Sequence, residues 1–216
     1  CTLVSCQNSV SKEFTFSPTT IKQYHLRLSS TTPNINYKVT CNFEKENNNI
    51  VMLTTINEIQ NVGDSEMDNE INQQYQNHVN SNIISIYDNF GKSLPNEATE
   101  KRIINPDLLI IEYPKHAIKE GDTWTGQKSA EPDFIFKKIK TIYTLKKIQS
   151  NNNIINVAMT FEKESNNDPV LNSMTKFYTG DYTVYDDGTV KNAVITITGF
   201  SGFSNLTGKL TIEEIK

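Results

Sequence analysis

The sequence predicts a mainly β protein with minor α content: an antiparallel curved sheet or partly open barrel built from two related β-meanders. Three observations carry this. Apolar and polar residues alternate with a period of two over long stretches, turn-forming clusters separate those stretches at hairpin spacing, and two blocks look like copies of each other.

Taken in chain order, Tyr24 sits in a possible opening strand. Ile35, Tyr37, Val39, Cys41 and Phe43 then alternate with Asn36, Lys38, Thr40, Asn42 and Glu44. Lys45 to Asn49 reads as a turn and Ile50 to Ile59 as the returning strand. Ser65 to Val79 carries Met67, Ile71, Gln74, Tyr75 and Val79, a spacing that predicts one amphipathic helix. Asn105-Pro106 and Tyr113-Pro114 bracket Asp107 to Glu112, which reads as a short strand or extended connector. Glu120-Gly121-Asp122-Thr123-Trp124 reads as a turn delivering the single Trp into a second opening strand. Ile139 to Ile148, an Asn151-Asn152-Asn153 turn and Ile154 to Glu162 form the next hairpin. Phe177 to Tyr185 and Val190 to Thr198 form the last. Asp186-Asp187-Gly188 joins them, an Asp-Gly turn in which both residues are expected at positive φ.

Asn47-Asn48-Asn49-Ile50-Val51 with Glu58 matches Asn151-Asn152-Asn153-Ile154-Ile155 with Glu162 at a constant offset. Ile86-Tyr87-Asp88-Asn89-Phe90-Gly91 is similar to Val184-Tyr185-Asp186-Asp187-Gly188. These matches predict internal repeats over 20–95 and 115–198 within a single domain, 14–216, preceded by 1–13, read below as a signal-peptide remnant, a lipidation site and a tether.

The formal charge of −4 argues against a nucleic-acid partner, because phosphate binding needs a basic face. Lysines between Lys137 and Lys147 alternate with Ile139, Ile142, Tyr143 and Leu145, the pattern of a strand with one wet side. The longest apolar run, Leu108 to Ile111, is far short of the roughly 18 residues of a spanning helix. An Asn-rich composition with Ile, Thr and Lys common suggests an AT-rich bacterial genome.

Leu3-Val4-Ser5-Cys6 resembles the bacterial lipobox, in which the Cys sulfur receives a diacylglycerol and cleavage makes that Cys the new N-terminus. The reading places the lipid on Cys6, with Cys1 as the alternative if the numbering begins at the mature protein. Gln7 to Glu13 would be a polar tether. Multiple acyl chains anchor stably where one does not. Gln7 is not an inner-membrane retention Asp and no acidic run follows, so the expected address is the outer membrane, facing the periplasm. Cys41 shares a face with apolar residues and reads as a buried free thiol.

No catalytic constellation emerges. His25, His78 and His116 are scattered, and there is no Gly-x-Ser-x-Gly elbow, His-Glu-x-x-His or Cys-x-x-Cys. Asp64-Ser65-Glu66-Met67-Asp68-Asn69-Glu70 fails the calcium-loop pattern, since the sixth and twelfth positions hold Asn69 and Tyr75. It reads as an acid-rich helix start. Trp124 could stack a sugar but reads as core. No cofactor or metal ligand set is expected.

Pro114, Ile118, Gly121-Asp122-Thr123-Trp124, Tyr143-Thr144-Leu145 and Gly180-Asp181-Tyr182 with the later Asp-Gly turn resemble a family of uncharacterised Bacteroidota lipoproteins. The likeness covers most of residues 20 to 215 and implies address and architecture. The function expected is a membrane-anchored, non-enzymatic binding or carrier module for an apolar ligand or an envelope protein. The alternatives are a glycan-directed hydrolase and a scaffold lipoprotein.

Overall fold

The computed structural model describes residues 10–30, 34–61, 69–70, 73, 75–95, 103–129, 136–163, 168–200 and 204–215. Strand accounts for 64% of it against 8% helix. Eleven strands form one curved, nearly closed antiparallel sheet, with a small second sheet beside it. In chain order the strands are β1 (Ser11–Lys12), β2 (Lys22–Ser30), β3 (Ile35–Glu46), β4 (Asn49–Asn61), β5 (Asn82–Asp88), β6 (Ser93–Leu94), β7 (Ile118–Lys119), β8 (Thr123–Ser129), β9 (Phe136–Ile148), β10 (Asn153–Lys163), β11 (Thr175–Val184), β12 (Val190–Phe200) and β13 (Asn205–Ile215). A short helix, α1 (Pro169–Ser173), precedes β11, and Pro106–Leu109 forms a 3-10 turn.

The large sheet runs β6-β5-β4-β3-β2-β13-β12-β11-β10-β9-β8. Two meanders, β2 to β6 and β8 to β13, are thus joined where the first strand pairs with the last, through Leu26 opposite Ile212 and Leu28 opposite Leu210. The remaining seam lies between β6 and β8. β1 pairs with β7 in the small sheet.

The predicted alternation is realised residue by residue. Ile35, Tyr37, Val39, Cys41 and Phe43 are buried while Asn36, Lys38, Thr40 and Asn42 face outward. In β9, Ile139, Thr141, Tyr143 and Leu145 are buried, and Lys138, Lys140 and Ile142 are exposed. All three predicted hairpins form. At the offset of the Asn triplets, β3 and β9 share their inward phase, but buried Ile50 falls on outward Ile154. An extra residue in β9, between the pairs of Ile154 and Ile155, accompanies that phase change.

Two expectations need correcting in detail, and a third is described only in part. Of the Asp186-Asp187-Gly188 turn only Gly188 has positive φ, at 86°. Asp187 instead accepts from the Thr189 N–H and hydroxyl, which holds a three-residue turn with a following bulge. Asp107 to Leu109 wind into the 3-10 turn rather than extending, because Asn105 Oδ1 caps the Asp107 N–H at 3.0 Å and Pro106 fixes φ. Only part of the predicted helix over 65–79 is described. Asn69, Glu70, Gln73, Tyr75 and Gln76 are helical, residues 77–80 turn, and the Gln76 amide donates to Ile59 O at 2.7 Å.

The two ends of the sheet differ. One end carries the tight turns at 47–48, 89–92, 149–152 and 185–189; the other receives α1 and the helical stretch before β5. About eight strands make a barrel that wall side chains can fill, and eleven enclose more. At the turn end two irregular segments supply the filling. Phe14 and Phe16 are 3% and 0% exposed; Phe14 stacks on Tyr113 at 5.0 Å, and Phe16 meets Phe43 and Tyr87 edge-on. The second segment, from Ile103 to Pro114, buries Ile104, Leu109, Ile110, Ile111 and Tyr113.

That second segment is a strap across the seam. The Tyr87 hydroxyl on β5 donates to Asp107 Oδ1 at 2.7 Å, and Lys128 on β8 donates to the carbonyls of Asp107 and Ile110 at 2.7 and 2.8 Å. Tyr113 N–H donates to Phe90 O, and Trp124 Nε1 to Glu112 O at 2.5 Å. The strap thereby supplies hydrogen bonds that β6 and β8 do not give each other.

Candidate functional site

The inner wall grades from apolar to polar along its length. At the loop end Leu28, Phe161, Met174, Tyr178 and Leu206 pack on the core yet stay half-buried. Phe161 meets Phe136 at 5.9 Å and Tyr178 at 4.7 Å between ring centroids, and the Lys176 ammonium lies 4.7 Å from the Phe161 ring centre. Below this rim the strand register stacks successive inward rows: Thr141, Met159 and Tyr178, then Tyr143, Val157 and Gly180, then Leu145, Ile155 and Tyr182.

Those deeper rows hold polar atoms without protein partners. The hydroxyls of Thr141, Tyr143 and Tyr182 and the Glu112 Oε2 are buried and unpaired, as is the Tyr113 hydroxyl nearer the plugged end. Burial pushes the Tyr143 hydroxyl up against the pull of Lys128, and its neighbours Thr141 and Glu112 make no hydrogen bond of ordinary geometry with it. Burial likewise raises Tyr182 and Tyr113, each of which feels Tyr143. Glu112 is raised from the usual carboxylate value, burial outweighing the attraction of Lys128 and the Gln127 backbone N–H. Its carboxylate lies against Gly126, where a Cβ would meet Oε2 at 2.3 Å. Gly126 therefore makes room for the acid.

Outside the sheet, an open groove of about 480 Å³ is lined by His25, Tyr185, Lys191, Asn192, Glu213, Glu214 and Ile215. Both oxygens of Glu214 are engaged, with Lys22 at 2.8 Å and the Tyr185 hydroxyl at 2.7 Å. Burial, followed by that hydrogen bond, pushes Tyr185 up to about 12. His25 lies 3.2 Å from the Arg27 guanidinium, and its pKa falls through desolvation and then the charges of Arg27 and Lys38.

Cys6 and Cys1, the candidate lipidation residues, lie outside the described residues, as do Asp64 to Asp68. Cys41 is buried and free, its sulfur 3.7 Å from the Thr54 hydroxyl, and burial pushes the thiol up to about 12. His78 falls in a turn and His116 on the strap side, so the three histidines do not converge on one element. Trp124 is core: 8% exposed, stacked on Tyr143 at 5.3 Å and tied to Glu112 O. Among the described residues no group of three or more His, Cys, Asp or Glu could hold a metal, and no helix is long and apolar enough to cross a membrane.

Sequence reading passed over Glu112, Lys128 and Thr141. Lys128 was visible as an anomaly, a lysine in the same alternating row as Trp124 and Gly126. Glu112 had no such signal, because its irregular segment has no period to violate.

The Gly-Asp-Thr-Trp motif proves architectural. Gly121, at φ 91°, donates to Leu145 O, Asp122 Oδ2 accepts from Lys119 N–H, and Thr123 starts β8 with Trp124 next, opposite Tyr143. None of the curated proteins compared matches the chain. A family model does match residues 86–195, just over half the length, taking in the strap, the motif turn and the whole β8–β11 wall. On that match the chain belongs to the family of unknown function DUF6263.

Proposed function

We propose that the protein is a bacterial envelope lipoprotein, acylated at Cys6 (alternatively Cys1) and held at the periplasmic face of the outer membrane. Its body would serve as a non-enzymatic binding or carrier module for an apolar ligand. The observation that carries the binding half is the contrast between the two ends of the sheet. The turn end is packed with Phe14, Phe16 and the strap, whereas the loop end keeps inward apolar side chains only half-buried. Apolar walls that remain accessible are what ligand sites present.

The anchor rests on the Leu3-Val4-Ser5-Cys6 resemblance. Labelled palmitate should enter the wild type and the Cys1→Ala variant but not Cys6→Ala; the reverse pattern moves the anchor to Cys1, and no label in any form removes it. Carriage is tested on an exported form lacking both cysteines, purified from the periplasm without detergent. Native mass spectrometry should show a co-purified apolar adduct, and a bare mass counts against carriage. A hydrolase reading would fall on the outer groove, where Lys22 and Tyr185 already occupy Glu214, so the groove favours it less.

A further inference from the structure

Resting on that reading, we infer that the site has a polar floor inside the sheet, and that it takes an amphiphile head-first, with an uncharged hydroxyl end over Thr141, Tyr143, Tyr182 and Glu112. Three observations converge on this floor. The first is the set of buried polar atoms without protein partners. Buried hydroxyls and carboxyls are almost always paired, because leaving one unpaired is destabilising. Several on one patch of wall point to a group that pairs them.

The second observation is position. The floor lies beneath the rim: Thr141, Tyr143 and Tyr182 stand one, two and three rows below Phe161 on the same three strands, and the strap brings Glu112 to them. An apolar chain lying against Phe161, Tyr178 and Met159 would set its leading end among these hydroxyls.

The third is chemistry. Phenols and alcohols both donate and accept, so a ligand hydroxyl complements them in either sense. A carboxylate-headed ligand would bring a second acid beside Glu112, whereas Lys128 already spends two protons on the Asp107 and Ile110 carbonyls. The unpartnered Oε2 of Glu112 can accept from an incoming hydroxyl. The class of ligand is a long-chain alcohol or its equivalent.

The test uses the exported full chain lacking Cys1 and Cys6, with Cys41 kept, and three probes: 1-decanol, n-decane and decanoate at pH 8. Trp124 is the single tryptophan and stacks on Tyr143, so its emission reports binding at the floor, and native mass spectrometry counts the bound probe. Decanol should bind more tightly than decanoate. In a Thr141→Val/Tyr143→Phe variant, decanol affinity should fall about tenfold, the worth of one or two hydrogen bonds, while decane affinity holds. Tyr182→Phe alone, a milder change, should weaken decanol severalfold, and circular dichroism confirms that each variant is folded. If decanol and decane respond alike to both variants, the floor is overturned and the apolar site stands. If decanoate binds best, the head lies at the rim near Lys176 and the ligand enters tail-first. If none of the three binds, the carrier reading fails as well.

Discussion

Cys41 illustrates how burial governs chemistry at one residue. Thiolates react and thiols do not, and this thiol is fully buried with its pKa pushed up to about 12. In the folded protein it should resist an aromatic disulfide reagent at pH 8 and react at once in denaturant; fast labelling of the native state would contradict the packing. Glu112 is the more consequential case. Its folded pKa is raised, so the folded state holds the proton more tightly than the unfolded chain does. Its neutral form is therefore tolerated below the ordinary carboxylate value, and stability is lost as pH rises from there through the raised pKa. Glu112→Gln should remove that loss and leave the protein about 1 kcal/mol more stable at pH 7, with a flatter stability profile between pH 4 and 7, all measured by urea unfolding. Equal slopes in the two proteins would mean that the carboxylate is paired. Gly188 belongs at this scale too: its φ of 86° and the Phe16 ring 3.0 Å from a would-be Cβ make Gly188→Ala destabilising by at least about 1 kcal/mol.

Among elements, the strap and the plug separate what was legible in the sequence from what was not. The hairpins around Ile35–Phe43, Ile139–Leu145 and the Asp-Gly turn follow from a period of two, because each strand has one buried face that a shift would expose. The strap has no period. Its 3-10 turn depends on Asn105 and Pro106 locally, and its position depends on Tyr87 and Lys128, which come from strands on either side of the seam. Long-range hydrogen bonds of that kind leave no mark in a local window. The floor was illegible for the same reason, since Glu112 joins Thr141 and Tyr143 only once the strap has crossed. Lys128→Met should strand two buried carbonyls and cost about 2–3 kcal/mol, and Phe16→Ala should cost about 3–5 kcal/mol through the cavity it leaves. Thermal unfolding of both variants checks these values. If Lys128→Met is as stable as the wild type, the strap hydrogen bonds do not hold the seam.

For the whole molecule, the family span and the folding unit are different objects. Residues 86–195 begin near the end of β5 and stop midway along β12, and they exclude β2, β3, β4 and β13. Closure of the sheet, however, runs through the β2–β13 pairing. A fragment cut at the span would present raw strand edges and half of a core, so it should remain unfolded or aggregate when expressed alone. A sharp, cooperative melt from that fragment would show that the span is a domain in its own right.

The N-terminal segment also sets how the molecule bears load. Chain leaving the turn end passes from Val10 through the two-residue pairing of β1 with β7 and the Lys12–Asp186 ion pair to Phe14 and Phe16. Tension applied from a lipidated Cys6 would therefore meet this segment before any strand of the large sheet. Its few bonds would yield in sequence and withdraw two aromatic rings from the interior, leaving the eleven-stranded wall intact. The tether would act as a mechanical fuse, and pulling from residue 6 should give a small early rupture well below the force that opens the sheet.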